Sequence, residues 1–220
     1  MNEMRIGRLI RASTISDGWY RGLDLIWHHG ETLRDERGSE TRELLNLVVV
    51  IGNPYKDQIP EHSSWNIERL DEYARQLITG ENAQDFEYTY GQRLRDWGAE
   101  GIDQVKYVID KLKKNPNSRR ATCVTWMPSK DTVSQEIPCM ILLDFKLRNG
   151  CLNLTVVFRS HDFYGAAPSN WYGLSKLMEY VADKIGAKPG KLTSVSISAH
   201  IYGHDWDNVG VILDVDDYRK

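Results

Sequence analysis

Apolar and polar positions along the chain follow two periods, one of strands and one of helices. Leu44–Ile51 is an apolar run with three consecutive valines, broken only at Asn46, the pattern of a strand buried on both faces, and Asn53-Pro54 ends it. Met140–Leu143 reads as a second buried strand and Leu152–Phe158 as a third. Asn149-Gly150 between them is a strong hairpin signal. Ala121–Met127, opened by Arg119-Arg120, and Leu192–Tyr202 read as further strands, and residues 5–12 alternate loosely enough for an edge strand. Helical spacing marks Ile67–Thr79, closed by Gly80, then Ile102–Leu112 and Trp171–Ile185. Ser16–Gly30 is rich in aromatics and is consistent with strand or irregular chain. Turns are expected at residues 35–40, Tyr90-Gly91, residues 115–118 and Lys188-Pro189-Gly190. The last eighteen residues are acidic and hold one short apolar run, Val209–Leu213. Strands and helices mix without strict βαβ alternation, and a hairpin sits at the centre. The expectation is an α+β fold, helices on a largely antiparallel or mixed sheet, in one domain over residues 1–220.

Composition narrows the function. Apolar residues make up 41% and charged residues 27% of the chain, an ordinary globular balance. A net charge of -3 gives no electrostatic footprint for DNA, so any anion must be recognised by local clusters. Cys123, Cys139 and Cys151 suit neither a disulfide framework nor a CxxC metal pair, and a reducing, cytoplasmic setting fits them. No apolar run approaches the ~18 residues of a membrane span. His28-His29 and His62 lack metal-ligand spacing, and no metal is expected.

The candidate chemistry gathers between Ile137 and Asn170. The hairpin brings Cys139 and Arg159 to one end of adjacent strands, and a thiolate beside a fixed cation is a usable nucleophile. An inert buried cysteine and a surface arginine are the plainer alternative. Arg37, Arg119, Arg120, Arg159 and Ser160 offer the forks and hydroxyl that suit phosphate oxygens. Adjacent Arg119 and Arg120 project to opposite strand faces, which argues against both serving one site. His200 and Tyr202 fall on one face of their strand, as core residues or as ligand contacts. Asp162 and Asn170 have the composition of helix caps as well as of a polar site. Glu68, Asp71 and Glu72 form a solvated helix face by default.

Together these motifs resemble the thymidylate synthase family. The resemblance runs from Asn115-Pro116-Asn117-Ser118-Arg119-Arg120 through Pro138-Cys139, Arg159-Ser160-His161-Asp162, Asn170, Lys188-Pro189-Gly190 and Ala199-His200-Ile201-Tyr202, in order and spacing. It covers roughly residues 88–205 and is closest to the archaeal branch, with kinship to the phage deoxycytidylate hydroxymethylases. It implies a thymidylate synthase-like fold with the sheet at a homodimer interface. It implies Cys139 as nucleophile, its pKa lowered by Arg159, with Arg159 and Ser160 on the 5′-phosphate of dUMP. Arg119 and Arg120 would reach that phosphate from the other subunit, and Arg37 would join from a loop. Asp162 would hold the pyrimidine and its water network, Asn170 would pair with N3 and O4, and His200 and Tyr202 would contact the 3′-hydroxyl. Tyr90 resembles the tyrosine that assists removal of the C5 proton, and Glu72 is the nearest match to the family's catalytic glutamate, one residue out of register with Gly80.

The implied activity is reductive methylation of dUMP, with a one-carbon unit from 5,10-methylene-tetrahydrofolate or methylene-tetrahydromethanopterin. A dCMP hydroxymethylase and a nucleotide-binding protein without turnover are the alternatives, and Asn170 in place of aspartate argues for uracil. The chain departs from the family pattern at Met140, Phe158 and His161, and its tail from Leu213 is not the expected apolar terminus.

Overall fold

The computed structural model describes residues 7–81 and 88–214. In chain order the elements are β1 (Arg8–Ala12), α1 (Ile15–His29), β2 (Glu31–Arg34), β3 (Glu40–Ile51), α2 (Ile67–Thr79), α3 (Tyr90–Arg95), α4 (Gln104–Lys114) and β4 (Thr122–Val124). They continue with α5 (Pro128–Asp131), β5 (Met140–Arg148), β6 (Cys151–Phe158), β7 (His161–Asp162), α6 (Ala167–Ile185), β8 (Lys188–Tyr202), a 3-10 turn at Gly203–Asp205, and α7 (Trp206–Ile212).

One mixed sheet runs β1-β3-β8-β6-β5-β4, with β2 added beside β3 and β7 beside β8. β3 pairs antiparallel with β8, and β5 with β6 across the hairpin at Asn149-Gly150. β1 is parallel to β3, and β6 and β7 are parallel to β8. This is the α+β arrangement that the patterning predicts. One sheet face buries Leu47, Val49, Leu154, Val156, Phe158, Leu143 and Phe145 in a core shared with α1 and α6.

The opposite face has a row of cross-strand neighbours, Leu9, Val48, Val195, Val157, Leu142 and Val124, one from each of the six strands. Leu9 and Val124 at its ends are 53% and 37% exposed, and the four between are half-buried. Such an apolar row is the kind of surface that seeks a partner.

Five sequence expectations change. Ser16–Gly30 belongs to a helix: Trp19, Leu23, Ile26 and Trp27 share the buried face, and the Thr14 hydroxyl accepts from the Asp17 N–H as its cap. The aromatic content, which suits a strand, serves here to fill the core beneath it. Tyr90-Gly91 opens α3 rather than a turn, held by a reciprocal capping box between Thr89 and Gln92. Lys188-Pro189-Gly190 begins β8, with Lys188 and Pro189 beside Cys151 and Leu152. The strand expected over Ala121–Met127 is confined to Thr122–Val124, and α6 starts at Ala167, with Pro168 in its first turn.

Candidate active site

Cys139 lies immediately before β5, and Arg159 immediately after β6, so antiparallel pairing brings them together. The Arg159 N–H donates to the Cys139 carbonyl at 2.8 Å. Its guanidinium donates to the carbonyls of Pro138 (2.9 Å) and Ile137 (2.8 Å) and lies 3.9 Å from Cys139 Sγ. The two carbonyls fix the fork, so the cation is held beside the thiol. Burial nevertheless pushes the Cys139 thiol above its ordinary value; Arg159 pulls it down and Asp162 adds to the rise. Arg159 thus acts on the thiol in the expected direction, and burial outweighs it in the free protein.

Tyr90 caps the same corner. Its hydroxyl accepts from the Met140 N–H at 3.2 Å, and burial pushes its pKa up to about 12, so it stands as a neutral phenol. Tyr88, 6.0 Å from Tyr90 between ring centroids, is an electrostatic neighbour of Cys139, Arg159 and Arg93. Arg37 reaches in from the β2–β3 turn, donating to the Gln135 carbonyl (3.3 Å) and Glu136 (3.4 Å), close enough to act on Cys139. Ser160 follows Arg159 and is half-buried.

The polar floor comes from β7, β8 and α6. Asp162 pairs with His200 in parallel register, and its carboxylate accepts from the Gly165 N–H at 2.9 Å. Burial raises the Asp162 pKa, against the pull of that N–H, His200 and His204. Burial lowers the pKa of His200, whereas Asp162 raises it. The rings of His200 and Tyr202 lie 4.8 Å apart. Asn170, in the first turn of α6, is buried, and its Nδ2 donates to the Tyr73 hydroxyl at 2.9 Å. Trp65 closes that side, donating to the Gly165 carbonyl at 2.7 Å with its ring 6.3 Å from Tyr73.

The fold thus gathers Cys139, Arg159, Ser160, Tyr90, Arg37, Asp162, His200, Tyr202 and Asn170 around neighbouring strand ends and one helix start. It does not bring in Glu72, which is exposed on α2 with no hydrogen bond or ion pair among the described residues. Its neighbour Tyr73 is the residue of that helix that reaches the site. Arg119 and Arg120 also lie elsewhere: they precede β4, whose register sets them level with Leu147 and Lys146, about seven or eight residues along β5 from Cys139, roughly 24 Å or more. Both are exposed. Tail residues 215–220 fall outside the described residues.

In the sequence Tyr73 reads as part of an apolar helix stripe. A hydroxyl within such a stripe needs a buried partner, and that was the available signal. Among the described residues no cluster of three or more His, Cys, Asp or Glu is arranged to hold a metal, and no helix is long and apolar enough to cross a membrane.

A half-buried thiol braced by a fixed arginine, beside a half-buried carboxylate and a buried amide, gives the site the groups that covalent chemistry on a small anionic ligand with hydrogen-bonding edges would need. The comparisons with known proteins define it further. The family model for thymidylate synthase matches residues 25–219. A Methanosarcina acetivorans protein named "Putative thymidylate synthase" is 64% identical, over 96% of this chain and 97% of its own. Proteins of the same name from Methanothermobacter thermautotrophicus and Methanocaldococcus jannaschii are 44% and 36% identical, each matched over about nine-tenths of both chains. The chain belongs to the thymidylate synthase family.

Proposed function

We propose that the protein is a homodimeric thymidylate synthase that converts dUMP to dTMP through a covalent bond between Cys139 Sγ and C6 of the pyrimidine. The observation that carries this is the Arg159 fork, anchored on two carbonyls 3.9 Å from Cys139 Sγ, in a chain of this family. Carbon 5 of uracil is a poor nucleophile. Adding a thiolate at C6 moves an electron pair to O4, and the enolate carbon can then attack the one-carbon unit. The C5 proton leaves, and the tetrahydropterin amine is expelled to give an exocyclic methylene on C5. A hydride from the tetrahydropterin or from a separate two-electron reductant converts that methylene to methyl, and β-elimination from the resulting enolate expels the thiolate. Splitting the reaction this way replaces one high barrier with several lower ones.

The surrounding residues take roles that suit their chemistry. Arg159, Ser160 and Arg37 bind the 5′-phosphate, and that dianion holds the ring against Cys139. Asn170 pairs with N3–H and O4, Asp162 orders the water beside the ring, and His200 and Tyr202 bind the 3′-hydroxyl. Tyr90 assists loss of the C5 proton. The one-carbon donor is a consumed co-substrate, a methylene-tetrahydropterin of the folate or methanopterin type, and Trp65 offers an aromatic surface beside the base-reading groups on which a pterin can stack.

The apolar row across the uncovered sheet face supports the dimer, and the distance of Arg119 and Arg120 from their own cysteine suits a phosphate site shared between subunits. A reducing cytoplasm suits the free thiol. The test is formation of dTMP from dUMP and each methylene donor, followed by mass spectrometry. Cys139→Ala is expected to lose turnover and still bind dUMP, and turnover in that variant would contradict the mechanism. Asn170→Asp is expected to shift preference toward dCMP, read as competing turnover of the two nucleotides.

A further inference from the structure

An asparagine amide reads a pyrimidine only as well as its orientation is fixed. With Oδ1 facing N3 and Nδ2 facing position 4, it complements uracil, which offers N3–H and O4. Rotated by 180°, the same amide complements cytosine, which offers a bare N3 and an amino group. The two orientations have the same shape, so Asn170 alone does not choose between the bases.

The structure supplies the groups that choose. Asn170 Nδ2 donates to the Tyr73 hydroxyl at 2.9 Å. His161 stands beside Asn170 as a side-chain hydrogen-bonding neighbour, with its Nε2 buried, and its Nδ1 lies 2.8 Å from the Ser196 hydroxyl. The His161 ring is locked by stacking on Phe158 at 3.8 Å, with the edges of Phe163 and Trp171 around it. Its environment keeps it a neutral imidazole, able to present one N–H and one lone pair. Tyr73 comes this close because Gly173, one turn beyond Asn170, leaves room for its ring: a Cβ there would lie 2.7 Å from it.

Resting on the proposed function, we propose that Tyr73 is a positioning residue that sets selectivity for dUMP over dCMP by holding the nitrogen of the Asn170 amide on its own side, with His161 and Ser196 backing the opposite side. The outer N–H of the amide goes to Tyr73, which leaves Oδ1 and the inner N–H as a pair for N3–H and O4. Reversing the amide would require the Tyr73 hydroxyl to turn, the His161 tautomer to exchange and the Ser196 hydroxyl to follow. That concerted cost separates the two bases.

The experiment measures release of tritium from [5-³H]dUMP and [5-³H]dCMP, in competition, by wild type, Tyr73→Phe and Ser196→Ala. Discrimination in favour of dUMP is expected to fall about tenfold in Tyr73→Phe, the worth of one hydrogen bond, and by less in Ser196→Ala. Should Tyr73→Phe lose turnover, the ratio of its dissociation constants for the two nucleotides gives the same reading, and Ser196→Ala, a small change in a folded strand, carries the test if Tyr73→Phe does not fold. Equal losses on both nucleotides with the ratio unchanged would reduce Tyr73 to a packing role and overturn the inference alone. A wild type that releases no tritium from dUMP would overturn the proposed function as well.

Discussion

At Cys139, burial and charge act in opposite directions. Burial raises the thiol pKa, and Arg159 lowers it from 3.9 Å. The thiolate fraction, and with it the rate of alkylation by iodoacetamide, is expected to rise with pH through a midpoint that moves to higher pH in Arg159→Ala. An unmoved midpoint would show that the guanidinium does not act on the thiol. In the proposed function a phosphate dianion engages the same arginine, which would couple its binding to thiol reactivity. His161 behaves in the opposite sense. Its pKa is pushed down to about 3 from 6.5 by burial and by the neighbouring His200. The unfolded chain takes up that proton first, so stability is lost as pH falls from about 6.5 toward 3. Thermal melts between these limits are expected to show a steep acid decline in wild type and a shallower one in His161→Gln. Cys139 and Arg159 are legible in the sequence because a two-residue hairpin fixes their register. Tyr73 and His161 are not, because their partners lie 97 and 35 positions away and only the assembled fold brings them together.

Among the elements, α1 shows where local pattern runs out. Its aromatics favour a strand by propensity, and the packing of Trp19 and Trp27 under the sheet decides for helix. The helix also supports the site from behind. Trp19 donates to the Phe163 carbonyl at 2.8 Å, and Phe163 follows Asp162. A Cβ on Gly22 would fall 2.1 Å from the Phe163 ring. Gly22→Ala is therefore expected to destabilise the protein by about 1–3 kcal/mol in urea unfolding and to disturb Asp162 as well. The long apolar strands and the helices α2, α4 and α6 are readable from periodicity because each buries one continuous face. α3 is not, being too short to show a period and resting on its capping box.

For the whole molecule, the apolar row from Leu9 to Val124 is the surface that the proposed dimer would cover. Removing it from water is favourable at about 25 cal/mol per Å², and a charge at its centre would be buried unpaired. Val195→Glu is expected to give monomers by sedimentation and to lose activity with them; a dimer in that variant would place the interface elsewhere. If Arg120 serves the partner's site, inactive Arg120→Ala and Cys139→Ala proteins mixed at equal amounts should regain about a quarter of wild-type activity through heterodimers with one intact site. Without recovery, each subunit would be self-sufficient. The central claim, that Cys139 adds to C6 of uracil in dUMP, is tested most directly by release of tritium from [5-³H]dUMP by the wild-type protein, with each methylene-tetrahydropterin and with none. The account predicts release that depends on Cys139 and exceeds release from [5-³H]dCMP; bound dUMP that keeps its tritium under every donor would contradict it.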